Sequence, residues 1–176
     1  MTGRLRKILA AACAAVALTV TAMIVHSCGI YSFSGTSIQP DVMTCTINYF
    51  EYKALRVNPS LSNELTEALK DQFRRLTRLE EVDQEGDLEI SGEIIGYDVK
   101  AMAVTADEVA AQNRLTVNVK IYFTNRKYPE DDFEKSFSAY ADYDSNNTLD
   151  AMESQLCEEI IEKLVDDIFN ATVANW

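Results

Sequence analysis

Histidine is nearly absent: one imidazole, His26, serves the whole 176-residue chain. It stands at the end of an apolar leader, so whatever removes the leader removes the histidine too. Without imidazole a chain has no Ser–His or Cys–His nucleophile pair, no histidine-ligated zinc and no histidine general base. An enzyme is therefore not expected and no cofactor is implied, although Asp, Glu, Lys and Tyr chemistry stays open. Positive charge is also in short supply, with 16 Lys and Arg against 28 Asp and Glu. Nucleic acid binding needs a basic stripe to neutralise phosphates, so nucleic acid is not an expected partner. Cysteine is limited to four, Cys13, Cys28, Cys45 and Cys157.

What is present first is a leader. Arg4, Arg6 and Lys7 precede an apolar run over residues 8–25 broken by Thr19 and Thr21, which is the polarity order of an export signal. Val25, Ser27 and Cys28 match the shape of a bacterial lipoprotein signal: a branched residue three before, a small residue one before, then a cysteine whose sulfur takes a diacylglyceryl group. His26 does not match. The run is also long enough to stay as an uncleaved membrane anchor, and plain secretion is a third possibility. Acyl chains on Cys28 would tether the protein stably, since each buried CH2 contributes about 0.8 kcal/mol. Gly29 follows, not the Asp that commonly signals retention at the inner membrane. The expected division is a signal at 1–27, an acylated tether at 28–40 and one domain at 41–176.

Cleavage before Cys28 leaves 149 residues and, with three bases gone, a charge near −15. That length suits one domain with one core. Cys45 and Cys157 then remain, and an envelope compartment permits them to pair. Two separate buried thiols are the alternative, because free cysteine behaves as a small hydrophobe.

Along the domain, residues 42–52 are rich in β-branched and aromatic side chains and predict a strand, with Cys45, Ile47 and Tyr49 on one side and Phe50 breaking the alternation. Asn58 and Pro59 predict a cap and first position for a helix whose buried stripe is Leu61, Leu65, Leu69, Phe73 and Leu76. Acids early and bases late in that helix suit its dipole. After a turn at Glu85, Gly86 and Asp87 comes a long strand in which Leu88, Ile90, Gly92 and Ile94 keep one parity, and Ile95, Tyr97 and Val99 the other. That switch predicts a bulge beside Gly96. Leu115, Val117, Val119, Ile121 and Phe123 alternate with polar neighbours as a further strand. Residues 125–132 are a loop and 133–143 a last strand. A closing helix from Leu149 to about Val173 is acidic on its outer face, which is usually a solvated face. The order β-α-β-β-β-α predicts an α+β fold, two helices packed on one face of a four-stranded mixed sheet. A helix links the first two strands, so they should be parallel, adjacent or one strand apart, and the last three should form an antiparallel meander.

Two groups of residues have ligand character. Asp142, Asp144, Asn146, Asp150 and Glu153 fall at oxygen positions of a calcium loop. Asn147 occupies the sharp-turn position that favours glycine, and an acidic helix start explains the same residues through the dipole. Lys100 and Arg114 flank one connection, and Arg126 and Lys127 sit in the next. Solubility accounts for such loop cations, and an anionic ligand is the other possibility, with phosphate meeting them at the end of the sheet.

The whole domain resembles the LptE family of lipopolysaccharide-assembly lipoproteins, in a diverged branch. The resemblance is carried by residues 28–38 (CGIYSFSGTSI), 57–61 (VNPSL), 65–73 (LTEALKDQF), 92–97 (GEIIGY), 113–117 (NRLTV) and 168–176 (IFNATVANW). It implies a lipid-anchored, non-enzymatic outer-membrane protein that plugs and helps assemble the LptD β-barrel. It also implies contact with lipopolysaccharide through basic loop residues, by analogy Lys100, Arg114, Arg126 and Lys127. A periplasm-facing adaptor of another envelope system is the alternative.

Overall fold

A computed structural model describes residues 38–102 and 111–174. The expected signal, Cys28 and nearly all of the tether lie outside the described residues. Within them run β1 (Thr44–Ile47), β2 (Glu51–Tyr52), α1 (Leu61–Leu76), β3 (Glu80–Glu81), β4 (Leu88–Ala101), β5 (Gln112–Asn125), β6 (Phe133–Asp144) and α2 (Leu149–Val173). The strands form one mixed sheet of order β3-β1-β4-β5-β6, with β2 also on β4. Among the described residues the fold is α+β as expected, with two α-helices, but the sheet has six strands and not four.

Both added strands have a specific cause. The expected first strand is split, because three residues, Asn48 to Phe50, lie between its paired segments where β4 has two, Ser91 and Gly92. This extra residue shifts the parity, so Tyr49 turns to solvent and Phe50 into the core. Phe50 fits there because Gly92 has no side chain; a Cβ on Gly92 would stand 2.5 Å from its ring. The other addition, β3, is two residues long, too short to show any period. It exists because Glu80 N–H and Val82 N–H donate to the carbonyls of Met43 and Cys45.

As expected, β1 is parallel to β4 and directly beside it, and β4, β5 and β6 are antiparallel in sequence order. The anticipated bulge lies between Ile94 and Gly96. Ile95 is pushed out to 42% exposure, while Tyr97 returns to the core at 3%. The 82–87 turn is pinned by β1: Thr46 Oγ1 donates to Val82 O and accepts from Gly86 N–H. Gly86 cannot carry a Cβ, which would sit 2.7 Å from the Thr46 nitrogen.

α1 starts at Leu61, later than the Asn58–Pro59 start expected. Asn58 Oδ1 accepts from Ser60 N–H and Leu61 N–H, closing a turn ahead of the helix. Leu76, at the other end, is 48% exposed and leaves the predicted stripe, which ends at Phe73. Phe73 meets Phe169 of α2 edge to face at 5.2 Å. Gln72 donates to Asp166 at 3.0 Å, and Asn58 to the Cys157 sulfur at 3.5 Å. Increasing numbers in α1 thus meet increasing numbers in α2, so the helices run side by side in one direction. They cover the face on which Leu115, Val117, Val119 and Ile121 are fully buried. Each such side chain contributes about 1.5–3 kcal/mol by leaving water. The opposite face is polar and open.

Candidate functional site

The open face carries the first two of the sequence's four cations. Lys100, Arg114 and Asp142 stand in one row across β4, β5 and β6. Arg114 grips Asp142 with two nitrogens, Nε to Oδ1 at 2.7 Å and Nη2 to Oδ2 at 2.8 Å. Its guanidinium also lies 3.6 Å from the centre of the Tyr140 ring. That pairing holds the Asp142 carboxyl below its usual range and lifts Arg114 further. Lys100 forms no ion pair among the described residues. Lys163, on α2, reaches round the β6 edge, donates to the Tyr140 carbonyl at 2.8 Å and lies 5.5 Å from its ring. Arg114 and Lys163, the latter also paired with Glu159 at 2.7 Å, therefore meet at Tyr140, with Lys100 opposite Arg114 on β4. Sequence reasoning missed Lys163; its signal was being the only base in α2.

Arg126 and Lys127 sit at the opposite end, because successive connections of an antiparallel meander alternate ends. Arg126 follows Arg114 by twelve positions along and just past β5, about 40 Å at strand rise. Arg126 pairs with Glu89 at 2.9 Å, and Lys127 pairs with Asp87 at 3.3 Å and donates to the carbonyl of Asp41. Asp87 in turn accepts from Met43 N–H at 2.8 Å and Thr44 N–H at 3.2 Å, where β1 begins. The Met43 hydrogen bond is the main reason its carboxyl is held below the usual range, with Lys127 adding to it. This end of the sheet is a clasp between the 125–128 loop, β4 and the entry to β1.

The oxygen-rich stretch does not converge. Asp142 belongs to Arg114, Asp144 accepts from Asn146, and Glu153 accepts from the Tyr97 hydroxyl. Asp150 lies in the first turn of α2, where the dipole favours it. Among the described residues no group of three or more His, Cys, Asp or Glu is placed to hold a metal ion. Cys45 and Cys157 are free and separately buried. Burial pushes the Cys45 thiol up to about 11, with Glu81 adding to it, and burial raises Cys157 as well. Neither thiol is poised as a nucleophile, since the thiolate is the reactive form.

A family model described as lipopolysaccharide-assembly, LptE, matches residues 42–172. The chain belongs to the LptE family. The match begins where the core begins, at Val42, and ends one residue short of the end of α2, so the LptE domain is the folded unit described above. No curated protein matches this LptE chain by sequence. Solved structures similar to it include a minor lipoprotein of Acinetobacter baumannii (15% identity, 72% of this chain and 89% of that one, TM-score 0.47). An uncharacterized lipoprotein B of Nitrosomonas europaea is also similar (12% identity, 74% and 85%, TM-score 0.44). So is lipoprotein GNA1162 of Neisseria meningitidis (10% identity, 73% and 99%, TM-score 0.39).

Proposed function

We propose that this LptE-family chain is a lipoprotein of the outer membrane, acylated at Cys28, that works without catalysis as plug and assembly partner of the LptD β-barrel in lipopolysaccharide transport. The observation that carries the proposal is the family match over 42–172, which takes in every described strand and nearly all of both helices. The chemistry agrees with it: the domain lacks imidazole, its thiols are buried, and its surface cations are largely spent on ion pairs. Such a surface suits fitting against another protein better than transforming a substrate.

For direct contact with lipopolysaccharide we assign Lys100 and Arg114, joined by Lys163. A second anion can share the open side of the Arg114 fork, and Lys100 is uncommitted. Arg126 and Lys127 act there only through the clasp that holds β1. Replacing Lys100 and Arg114 together by alanine should lower lipopolysaccharide capture by the full chain severalfold, while Arg126→Ala should lower its melting temperature instead.

The decisive test is capture of the acylated full chain from detergent-extracted outer membranes. The expected result is a large β-barrel recovered with it and acyl chains on Cys28 by mass spectrometry. Consistent recovery without a barrel would hand the chain to the alternative, a periplasm-facing adaptor of another envelope system.

A further inference from the structure

α1 and α2 leave a groove of about 1130 Å³ between their outward flanks. Its floor is apolar, made of Ala68 from α1 and Ile161 and Val165 from α2. Its rims are carboxylates: Glu64, Glu67 and Asp71 on α1 face Glu158, Glu162 and Asp166 on α2. On each helix they recur every three or four residues, which puts them in line along one flank. Because the helices run in the same direction, the two lines lie side by side along the groove.

Charge on the rims is not balanced from within. Arg75 is the one base lining the groove, and its guanidinium is tied to Gln72 Oε1 at 2.8 Å and the Asp71 carbonyl at 3.4 Å. Glu67 and Asp71 have Lys70 and Arg74 beside them on α1. Glu64, Glu158 and Glu162 have no ion pair among the described residues. The sheet's open face is built the other way: Glu93 meets Lys53, Glu134 meets Lys120, Asp142 meets Arg114 and Glu89 meets Arg126. Carboxylates without an ion pair among the described residues thus line a groove with an apolar floor. Like charges four apart on a helix repel, so this arrangement lowers the stability of the free protein.

We propose that the α1–α2 groove receives a basic, amphipathic helix from a partner protein. Lysines or arginines at helical spacing would meet both carboxylate lines, and an apolar stripe between them would cover Ala68, Ile161 and Val165. The occupant is a protein segment of that chemistry, whichever protein supplies it, so the proposal stands apart from the assignment of the barrel as partner.

Fluorescence anisotropy with the acylated full chain in non-ionic micelles tests it. The probe is a synthetic helix of about 14 residues, about 21 Å long, with lysines on its flanks and alanines between, and empty micelles as the blank. Expected is saturable binding that a glutamate-for-lysine peptide does not show. Glu158→Gln with Glu162→Gln should weaken it about tenfold or more, and Ala68→Arg, which places a cation in the groove, should do the same. Glu130→Gln with Asp98→Asn removes equal charge elsewhere and should change affinity by less than about twofold. Equal losses in the two pairs would show diffuse attraction to an acidic surface and overturn the proposal. So would binding no greater than to empty micelles, or magnesium alone displacing the peptide and stabilising the wild type but not the groove variant.

Discussion

At the scale of single residues, Asp87 does more than its sequence position suggests. It accepts two backbone N–H groups at the entry to β1 and pairs with Lys127, so one carboxylate joins three segments. Asp87→Ala should cost about 1–2 kcal/mol, read as a lower denaturant midpoint with unchanged slope. Asp87, Glu89 and Asp142 are all held below their ordinary values of 3.8, 4.5 and 3.8. A carboxyl whose folded value is depressed stabilises fully above its unfolded value and loses that contribution as pH falls through the folded one. Melting temperature should therefore hold from neutrality to about pH 5 and fall below about pH 4, with a shallower fall in Asp87→Ala. A melting temperature unchanged down to pH 2 would refute this. The thiols give a second check. Cys45 and Cys157 should resist maleimide in the native protein, by mass spectrometry of their peptides, and both react on unfolding.

At the scale of elements, the break between β1 and β2 lays the Phe50 ring over Gly92, with Phe50 N–H donating to Thr66 Oγ1. Gly92→Ala should cost about 1–3 kcal/mol, because its Cβ would stand 2.5 Å from the fully buried Phe50 ring and 2.9 Å from Ile121 Cδ1. Pairing it with Phe50→Leu should recover part of the loss, and strict additivity in that double variant would show that the two sites do not touch. This contact also marks where sequence patterns stopped being informative. The bulge beside Gly96, the alternation of β5 and the span of α2 were readable because each is written in a local period. The Asn48–Phe50 shift was visible only as an unexplained Phe50, since its cause lies more than forty residues away. β3 had no period to display. The four cations read as one site only if the expected antiparallel meander is left out of account, since its consecutive connections point to opposite ends. Lys163 stands among acids on α2, and nothing in its local pattern shows that it reaches Tyr140 at the sheet edge.

At the scale of the molecule, charge is distributed by face. Among the described residues the open sheet face is laced with ion pairs, while the helical layer, which has pairs such as Arg74–Asp71 and Lys163–Glu159, also carries Glu64, Glu158 and Glu162 without one. Exposed pairs contribute about 0–1 kcal/mol each, so screening them costs little, whereas screening repulsion among unpaired carboxylates helps the fold. Raising salt from about 0.01 M to about 0.15 M shortens the screening length from about 30 Å to about 8 Å, and should raise the melting temperature of the full chain in micelles. A fall would mean that the sheet-face pairs outweigh the helical repulsion. The same measurement on Glu158→Gln with Glu162→Gln should show a smaller rise.

The chain enters the sheet through β1, which is not at its rim but between β3 and β4. Tension applied to the protein through its N-terminal segment is consequently delivered to an interior strand, shared by hydrogen bonds on both flanks and by the Asp87 clasp. Pulling that strand free means breaking its ladders to β3 and β4 together. A mooring line fixed to a keel, not to a plank, lets the hull be tugged without being unpicked.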